Sequence, residues 1–310
     1  MRRFGIAFDI DGVLIRGGRA LPNAAKRLQQ LQAKGVPHIF LTNGGGCVEE
    51  KKTKNLSNIL NVPIDPKQMI LAHTPMRDLV HKYGDAKVLV MGAYDVLDVA
   101  KHYGFKKVVS IQDLARASPH QYPFLEWQHK PSQFADEPIG AIIIFHDPIH
   151  WAQDLQIAID ALVGGEPLGS GTGPQTPLYV SNDDFTFSGA YPVPRFAQGA
   201  FTRCLKLLYE QHTGRQLEVT RFGKPHAIQY EFAEEVLRSQ GPCDRFYGIG
   251  DNPFSDIQGA NAAGHHWTSV LVRTGVFQSP EDNHDEHPGD VVVDSVDEAV
   301  EWILQQEGVE

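Results

Sequence analysis

An α/β fold with a parallel sheet is predicted by three features of this 310-residue sequence. Short apolar runs alternate with amphipathic helical stretches in the first third and again in the last third. Several of these runs stop at an acidic residue, a threonine or a lysine. The middle third repeats the alternation with strands of its own, so a second α/β unit inserted into the first is expected.

Phe4–Phe8 is a short, wholly apolar run, as in a strand covered on both faces. From Pro22 to Lys34 the residues Ala24, Leu28 and Leu31 fall on one helical face, and Gly35 stops the helix. Val36–Leu41 is a second strand ending at Thr42-Asn43. A helix over Lys51–Leu60 and a strand at Met69–Ala72 follow. In the middle block Lys87–Met91 is a strand and Asp95–Tyr103 a helix. Residues 116–138, rich in Pro, His and Gln, form an irregular insertion. Ala141–Phe145 is a strand, Trp151–Leu162 an amphipathic helix, and Gly164–Pro177 a loop before the strand Leu178–Val180. Further on, Ala200–Gln211 is helical and Glu218–Phe222 a strand. Pro225 suits the first position of a helix whose face carries Ile228, Phe232 and Val236. Arg245–Ile249, His266–Val272 and Val291–Val293 are strands, and Ser295 with Glu298 is a capping box for the last helix. The expected division is a core of residues 1–77 and 190–310 and an inserted unit of residues 78–189.

Composition narrows the function. The chain is 42% hydrophobic and 21% charged, ordinary for a folded protein, and its formal net charge is −10. No Lys/Arg run exceeds a pair, which argues against a nucleic-acid partner. No apolar run approaches the roughly 20 residues of a membrane span. The start, Met1-Arg2-Arg3-Phe4, leads directly into the first strand and shows no signal or transit peptide, although a presequence removed earlier is compatible with it. The three cysteines, Cys47, Cys204 and Cys243, form no CxxC pair, which fits a reducing, intracellular setting.

Four polar signals sit where a strand stops: Asp9 with Asp11, Thr42 with Asn43, Lys224, and Asp251 with Asp256. Ligands of open parallel sheets bind beyond the carboxyl ends of the strands, so one crevice is expected to collect all four. Carboxylates crowded there repel one another and take up protons. A hard divalent cation such as Mg²⁺ removes that conflict, using few carboxylates and leaving room for phosphate. Lys224 adds a second positive charge, and Thr42 with nearby backbone N–H groups adds donors. In an extended chain residues i and i+2 point the same way. Asp9 is then placed to attack phosphorus and Asp11 to protonate the leaving oxygen, which splits a slow hydrolysis into two easier steps. Each signal alone has a plain alternative: Asp11-Gly12 as a turn, Thr42-Asn43 as a strand cap, Lys224 as a surface lysine, Asp251-Asn252-Pro253 as a helix cap. Their order and common placement favour a shared site.

The stretches FDIDGVL, FLTNGGG, RFGKP and GIGDNPFSDI resemble motifs I to IV of the haloacid dehalogenase (HAD) superfamily. The insertion between motifs II and III resembles a C2-type cap, as in the subfamily IIA hydrolases. FLTNGGG, FHDPIHWAQDLQIAIDAL and YPVPRFAQGAF are similar to the cat-eye-syndrome-critical-region branch, many of whose members are mitochondrial. The resemblance implies a Rossmann-like HAD core and an α/β cap. It implies Asp9 as nucleophile, Asp11 as acid/base and carbonyl ligand, Thr42, Asn43 and Lys224 around the phosphoryl group, Asp251 on Mg²⁺ together with Asp9 and Asp11, and Asp256 acting from behind the metal ligands. Gly44 departs from the second Asn common in IIA phosphatases, which leaves the motif II donors open beyond Thr42 and Asn43. His146 and Asp147 follow a cap strand and are candidate cap contacts. The expected activity is Mg²⁺-dependent hydrolysis of a small phosphorylated metabolite. The alternatives are a non-catalytic phospho-ligand-binding or regulatory protein on the same scaffold, and a phosphotransferase. A homodimer and a mitochondrial location are implied by the resemblance alone, with the cytoplasm as the other location.

Overall fold

A computed structural model describes residues 4–131, 133–187, 191, 193–279 and 283–309. The chain opens with β1 (Phe4–Phe8), buried at all five positions, then a small hairpin of β2 (Ile15–Arg16) and β3 (Arg19–Ala20). Helix α1 (Ala24–Ala33) buries Ala24, Leu28 and Leu31, the face expected from the sequence. Strand β4 (His38–Leu41), helix α2 (Glu49–Leu60) and strand β5 (Met69–Ile70) follow, each within a few residues of expectation.

The middle block holds α3 (Val80–Tyr83), β6 (Lys87–Met91), α4 (Val96–Tyr103), β7 (Lys107–Val109), α5 (Ile111–Ala117), β8 (Ile139–Ile144), α6 (Trp151–Val163) and β9 (Leu178–Val180). The expected irregular stretch begins inside α5. This short helix escapes a sequence reading because its start depends on a capping box between Ser110 and Asp113 rather than on a long apolar period. A second hairpin joins β10 (Thr186–Phe187) to β11 (Arg195–Phe196). The chain then forms α7 (Gln198–Thr213), β12 (Thr220–Arg221), α8 (Ala227–Gln240), β13 (Arg245–Gly250), α9 (Gln258–Ala262), β14 (Trp267–Val272), β15 (Val291–Val293) and α10 (Val296–Gln306).

Two parallel sheets organise these elements. The larger has the order β15-β14-β13-β1-β4-β5, and the smaller β12-β9-β8-β6-β7. The larger packs Ile6, Phe8 and Phe40 against α1 and α10 through Leu28, Leu31, Val300 and Ile303. Its other face meets α8 through Tyr230, Ala233 and Leu237. The smaller packs Leu89, Ile142 and Ile144 against α6 and α7. Burying such a side chain contributes about 1.5–3 kcal/mol.

The structure differs from expectation at three places. The expected junction at 189/190 lies outside the described residues, but the elements after it do not all return to the larger sheet. Phe201, Leu205 and Tyr209 of α7 pack in the smaller unit's core, and β12 pairs with β9. The local pattern of a helix and a strand cannot say which sheet they join. Pro225 lies in the turn before α8, which begins at Ala227 after His226, so it is not at the first helical position. The buried face of α8 carries Gln229, Tyr230, Ala233 and Leu237, with Phe232 and Val236 at its edge and Ile228 exposed. At α10, Ser295 accepts the Glu298 N–H at 3.5 Å, while the Glu298 carboxylate takes the N–H of Asp294, one residue before the cap.

Candidate active site

The carboxyl ends of β1, β4 and β13 converge on a pocket of about 390 Å³ that the smaller sheet covers from the other side. It gathers all nine side chains singled out from the sequence: Asp9, Asp11, Thr42, Asn43, His146, Asp147, Lys224, Asp251 and Asp256. Asp9 follows directly on β1 and is buried, whereas the Asp11 side chain is 54% exposed and its carboxylate lies 3.9 Å from Lys52 Nζ.

Gly12, next to Asp11, has φ +96°, and a Cβ there would lie 2.5 Å from Asp251 Oδ2. The same carboxylate would lie 1.9 Å from a Cβ on Gly275. The chain can pass this close to Asp251 on both sides only without side chains. The glycine of FDIDG therefore makes room for Asp251.

Lys224 is the electrostatic centre. Its Nζ donates to Asp9 Oδ1 at 2.6 Å, Asp256 Oδ1 at 2.6 Å and the Leu41 carbonyl at 2.7 Å. Burial alone would lower the Lys224 pKa, but Asp256 and Asp9 outweigh it and hold the ammonium above the ordinary lysine value. Asp256 sits in a π-helical turn, Pro253–Ile257, and its Oδ2 accepts the N–H groups of Asp251 and Asn252 at 3.1 and 3.0 Å. Its two oxygens are thus spent on protein donors. A surface role for Lys224 is excluded by its burial.

Carboxylate oxygens of Asp9, Asp251 and Asp256 lie within 4.8 Å of one another. Burial is the main reason the Asp9 pKa rises to about 7, with Asp256 and Asp11 adding to it and Lys224 opposing it. Asp251 is raised well above the ordinary value by burial and by Asp9 and Asp256. One lysine does not neutralise this group. The donor set, all carboxylate oxygen, suits a hard divalent cation.

Asn43 makes bonds that the sequence did not disclose. Its Nδ2 donates to Asp184 Oδ2 and to the Lys224 carbonyl, both at 2.9 Å, and its Oδ1 accepts the Lys224 N–H at 2.8 Å. The side chain ties the end of β4 to the lysine loop and to Asp184, so its amide is not free for a ligand. Asn182 reinforces the seam by donating to the Asn43 carbonyl at 3.2 Å. Thr42 Oγ1 accepts the Gly44 N–H at 3.0 Å and still faces the pocket.

Across the pocket stand Tyr94, His146 and Asp147, beyond the ends of β6 and β8. His146 Nδ1 is 3.3 Å from Asp147 Oδ2, and burial lowers the His146 pKa and raises that of Asp147. His146 Nδ1 and Asp147 Oδ1 have no hydrogen-bond partner among the described residues. Tyr94 is 80% exposed at φ +63° and meets the His146 ring edge-on. Tyr94 and Lys52 were not singled out from the sequence. For Lys52 the signal was its place in the first turn of a helix that follows FLTNGGG. No local pattern marks Tyr94. Trp151 packs on Phe196 and Phe201, and the Gly169–Pro174 loop does not line the pocket. His284 and His287 flank the exposed ring of Phe254.

Comparison with known proteins agrees with this arrangement. Residues 6–106 match the family described as haloacid dehalogenase-like hydrolase, and residues 221–299 match a HAD-hydrolase-like family. A mitochondrial hydrolase of Saccharomyces cerevisiae is 33% identical over 98% of this chain and 96% of its own. A cardiolipin synthase (CMP-forming) / mitochondrial hydrolase fusion protein of Schizosaccharomyces pombe is 38% identical over 97% of this chain, which spans about half (53%) of the fusion's length. The structure of a 4-nitrophenylphosphatase from Thermotoga maritima superposes with a TM-score of 0.70 at 18% identity, covering 96% of each chain. Two family matches, which together cover more than half of the chain, and a full-length relative above 30% identity make this chain a haloacid dehalogenase-like hydrolase.

Proposed function

We propose that the protein is a Mg²⁺-dependent phosphatase acting on a phosphate monoester through an aspartyl-phosphate. The observation that carries this reading is the Lys224 ammonium bridging Asp9 and Asp256 at 2.6 Å each, with Asp251 beside them. Lys224 holds Asp9 at the pocket floor and offsets its negative charge as it approaches a phosphoryl group. Asp9 attacks phosphorus while Asp11, exposed at the mouth, gives its proton to the departing oxygen. Asp11 then takes a proton from the water that releases phosphate. Thr42 Oγ1 donates to a phosphoryl oxygen, and Asp256 acts by positioning Lys224. Asp9, Asp251 and the Asp11 carbonyl would hold Mg²⁺, which supplies positive charge to the carboxylates and the phosphate oxygens.

The smaller sheet acts as a cap. Because α7 and β12 belong to it, we place its end near residue 222 rather than 189. His146 and Asp147 reach the pocket from the cap and contact the leaving group. The names of both curated relatives support a mitochondrial location. The fusion with a cardiolipin synthase adds phospholipid phosphates to the substrates worth testing.

The test is hydrolysis of 4-nitrophenyl phosphate and a panel of metabolite phosphates, with and without Mg²⁺, with Asp9→Asn as the blank. Mg²⁺-dependent turnover absent from the blank supports the reading. Turnover no higher than the blank across the panel would refute it and favour a non-catalytic phosphate binder. Transfer of phosphate to an added alcohol in preference to water would favour a phosphotransferase.

A further inference from the structure

A second cavity, of about 780 Å³, adjoins the catalytic pocket and has Asp184, Thr186, Asn252 and Val276 in common with it. It lies between α7, the β10–β11 hairpin and the turn before α8, so cap and core both contribute to it. We propose that this cavity is a leaving-group subsite, and that the substrate is a phosphomonoester whose leaving group carries a second anionic group next to an apolar or aromatic moiety. The proposal rests on the phosphatase reading and adds a substrate class to it.

The charge of the cavity points to an anion. Arg203, Lys206, Arg221 and His226 line it, against Asp183 and Asp184. Asp183 is occupied: Arg221 Nε lies 2.7 Å and His226 Nε2 3.3 Å from its Oδ2. Asp184 is turned toward Asn43. Arg203 has no carboxylate partner among the described residues, and its guanidinium lies 4.6 Å from the centroid of the Phe185 ring. Among the described residues the carboxylate partner of the Lys206 ammonium is Glu210, at 3.9 Å. Two cations one helical turn apart on α7 therefore face the cavity without close neutralisation, in a chain whose net charge is −10.

The apolar half is equally specific in place. Phe185, Phe254 and Val276 are 43%, 52% and 43% exposed, and all three line this cavity. Exposed apolar side chains gathered at a concave, basic surface are the ordinary make-up of a ligand pocket, and the volume lies within the usual range for one. The catalytic pocket is about half as large, so a larger leaving group must extend beyond it. The bond broken is the P–O ester bond above Asp9. The second anionic group keeps its bonds and serves as a handle.

The experiment compares kcat/KM for three probes: 4-nitrophenyl phosphate, adenosine 3′,5′-bisphosphate and dioctanoyl phosphatidylglycerol phosphate. The last two separate an aromatic from an acyl source of the apolar moiety. The wild type is expected to prefer one of these two over 4-nitrophenyl phosphate. In Arg203→Glu/Lys206→Glu that preference should fall by about tenfold or more, through KM. Arg203→Ala, whose side chain is exposed, gives a smaller fall and covers the case in which the charge reversal does not fold. A preference within about twofold of wild type in both variants, or no preference in the wild type, would overturn the subsite. Failure to hydrolyse any probe would instead overturn the phosphatase reading, and the subsite with it.

Discussion

Beyond the ends of β4, β1 and β13, Lys224 Nζ has three acceptors within 2.7 Å, and Asp256 receives two backbone N–H groups as well. Beyond the ends of β6 and β8, His146 Nδ1 and Asp147 Oδ1 have no hydrogen-bond partner among the described residues, and Tyr94 is largely in solvent. Both walls are carboxyl ends of parallel sheets facing one pocket. The core wall is fixed by its own bonds, as a preorganised catalytic group requires. The cap wall has fewer such bonds, since these atoms of His146 and Asp147 are buried without a hydrogen-bond partner among the described residues and Tyr94 is exposed. On the proposed reading, chemistry belongs to the first wall and selectivity to the second.

The largest way to break this contrast is Asp9→Asn. If the core wall carries the chemistry, kcat on 4-nitrophenyl phosphate should fall by at least about 10³-fold while the fold persists, as judged by far-UV circular dichroism. Loss of less than about tenfold would move the chemistry elsewhere. Lys224→Met comes next. It leaves Asp9 and Asp256 buried without their cation, and breaking such a pair costs about 3–5 kcal/mol in urea unfolding without Mg²⁺. Restoring part of that loss with Mg²⁺ would show that a cation relieves the same repulsion.

A third prediction concerns the seam between the walls. Burial raises the Asp184 pKa from 3.8 to about 6, partly opposed by Asn43 and Lys224. The native chain then holds this proton more tightly than the unfolded chain. The contribution to stability falls as pH rises from about 4 to about 6, and the penalty is complete above that. Asp184→Asn keeps an acceptor for Asn43 and removes the penalty. Relative to wild type it should gain up to about 3 kcal/mol between pH 4 and pH 7. No change in the difference across that window would mean that Asp184 is not strained. The smallest effect is expected on the cap wall, where His146→Ala should alter stability by no more than about 1 kcal/mol. It should still change the ranking of substrates several-fold, measured as kcat/KM ratios. An equal loss on every substrate would place His146 in the chemistry instead.

The same contrast explains what the sequence disclosed. Most of the core wall was legible because Asp9, Thr42 and Asp251 follow short apolar strands, and parallel strands bring their carboxyl ends together whatever their separation in the chain. Lys224 follows β12, which pairs in the smaller sheet, and its loop carries it back to Asp9, 215 residues away. Asn43 was found, but its bonds were not: the one to Asp184 depends on how the cap sits, and those to Lys224 on the path of the lysine loop. Tyr94 follows an ordinary strand and enters the pocket only through packing of the cap onto the core. The assignment of α7 and β12 to the smaller sheet was hidden for a related reason. Their amphipathic pattern demands a core without naming which one.

The central claim is that Asp9 becomes phosphorylated, and trapping that intermediate tests it most directly. Protein mixed with substrate and Mg²⁺, quenched in acid within one turnover and digested, should yield the peptide containing Asp9 with the added mass of one phosphoryl group. That mass should be absent without Mg²⁺ and in Asp9→Asn. Full turnover with no phosphorylated Asp9 peptide, or with the phosphoryl group on another residue, would contradict the account.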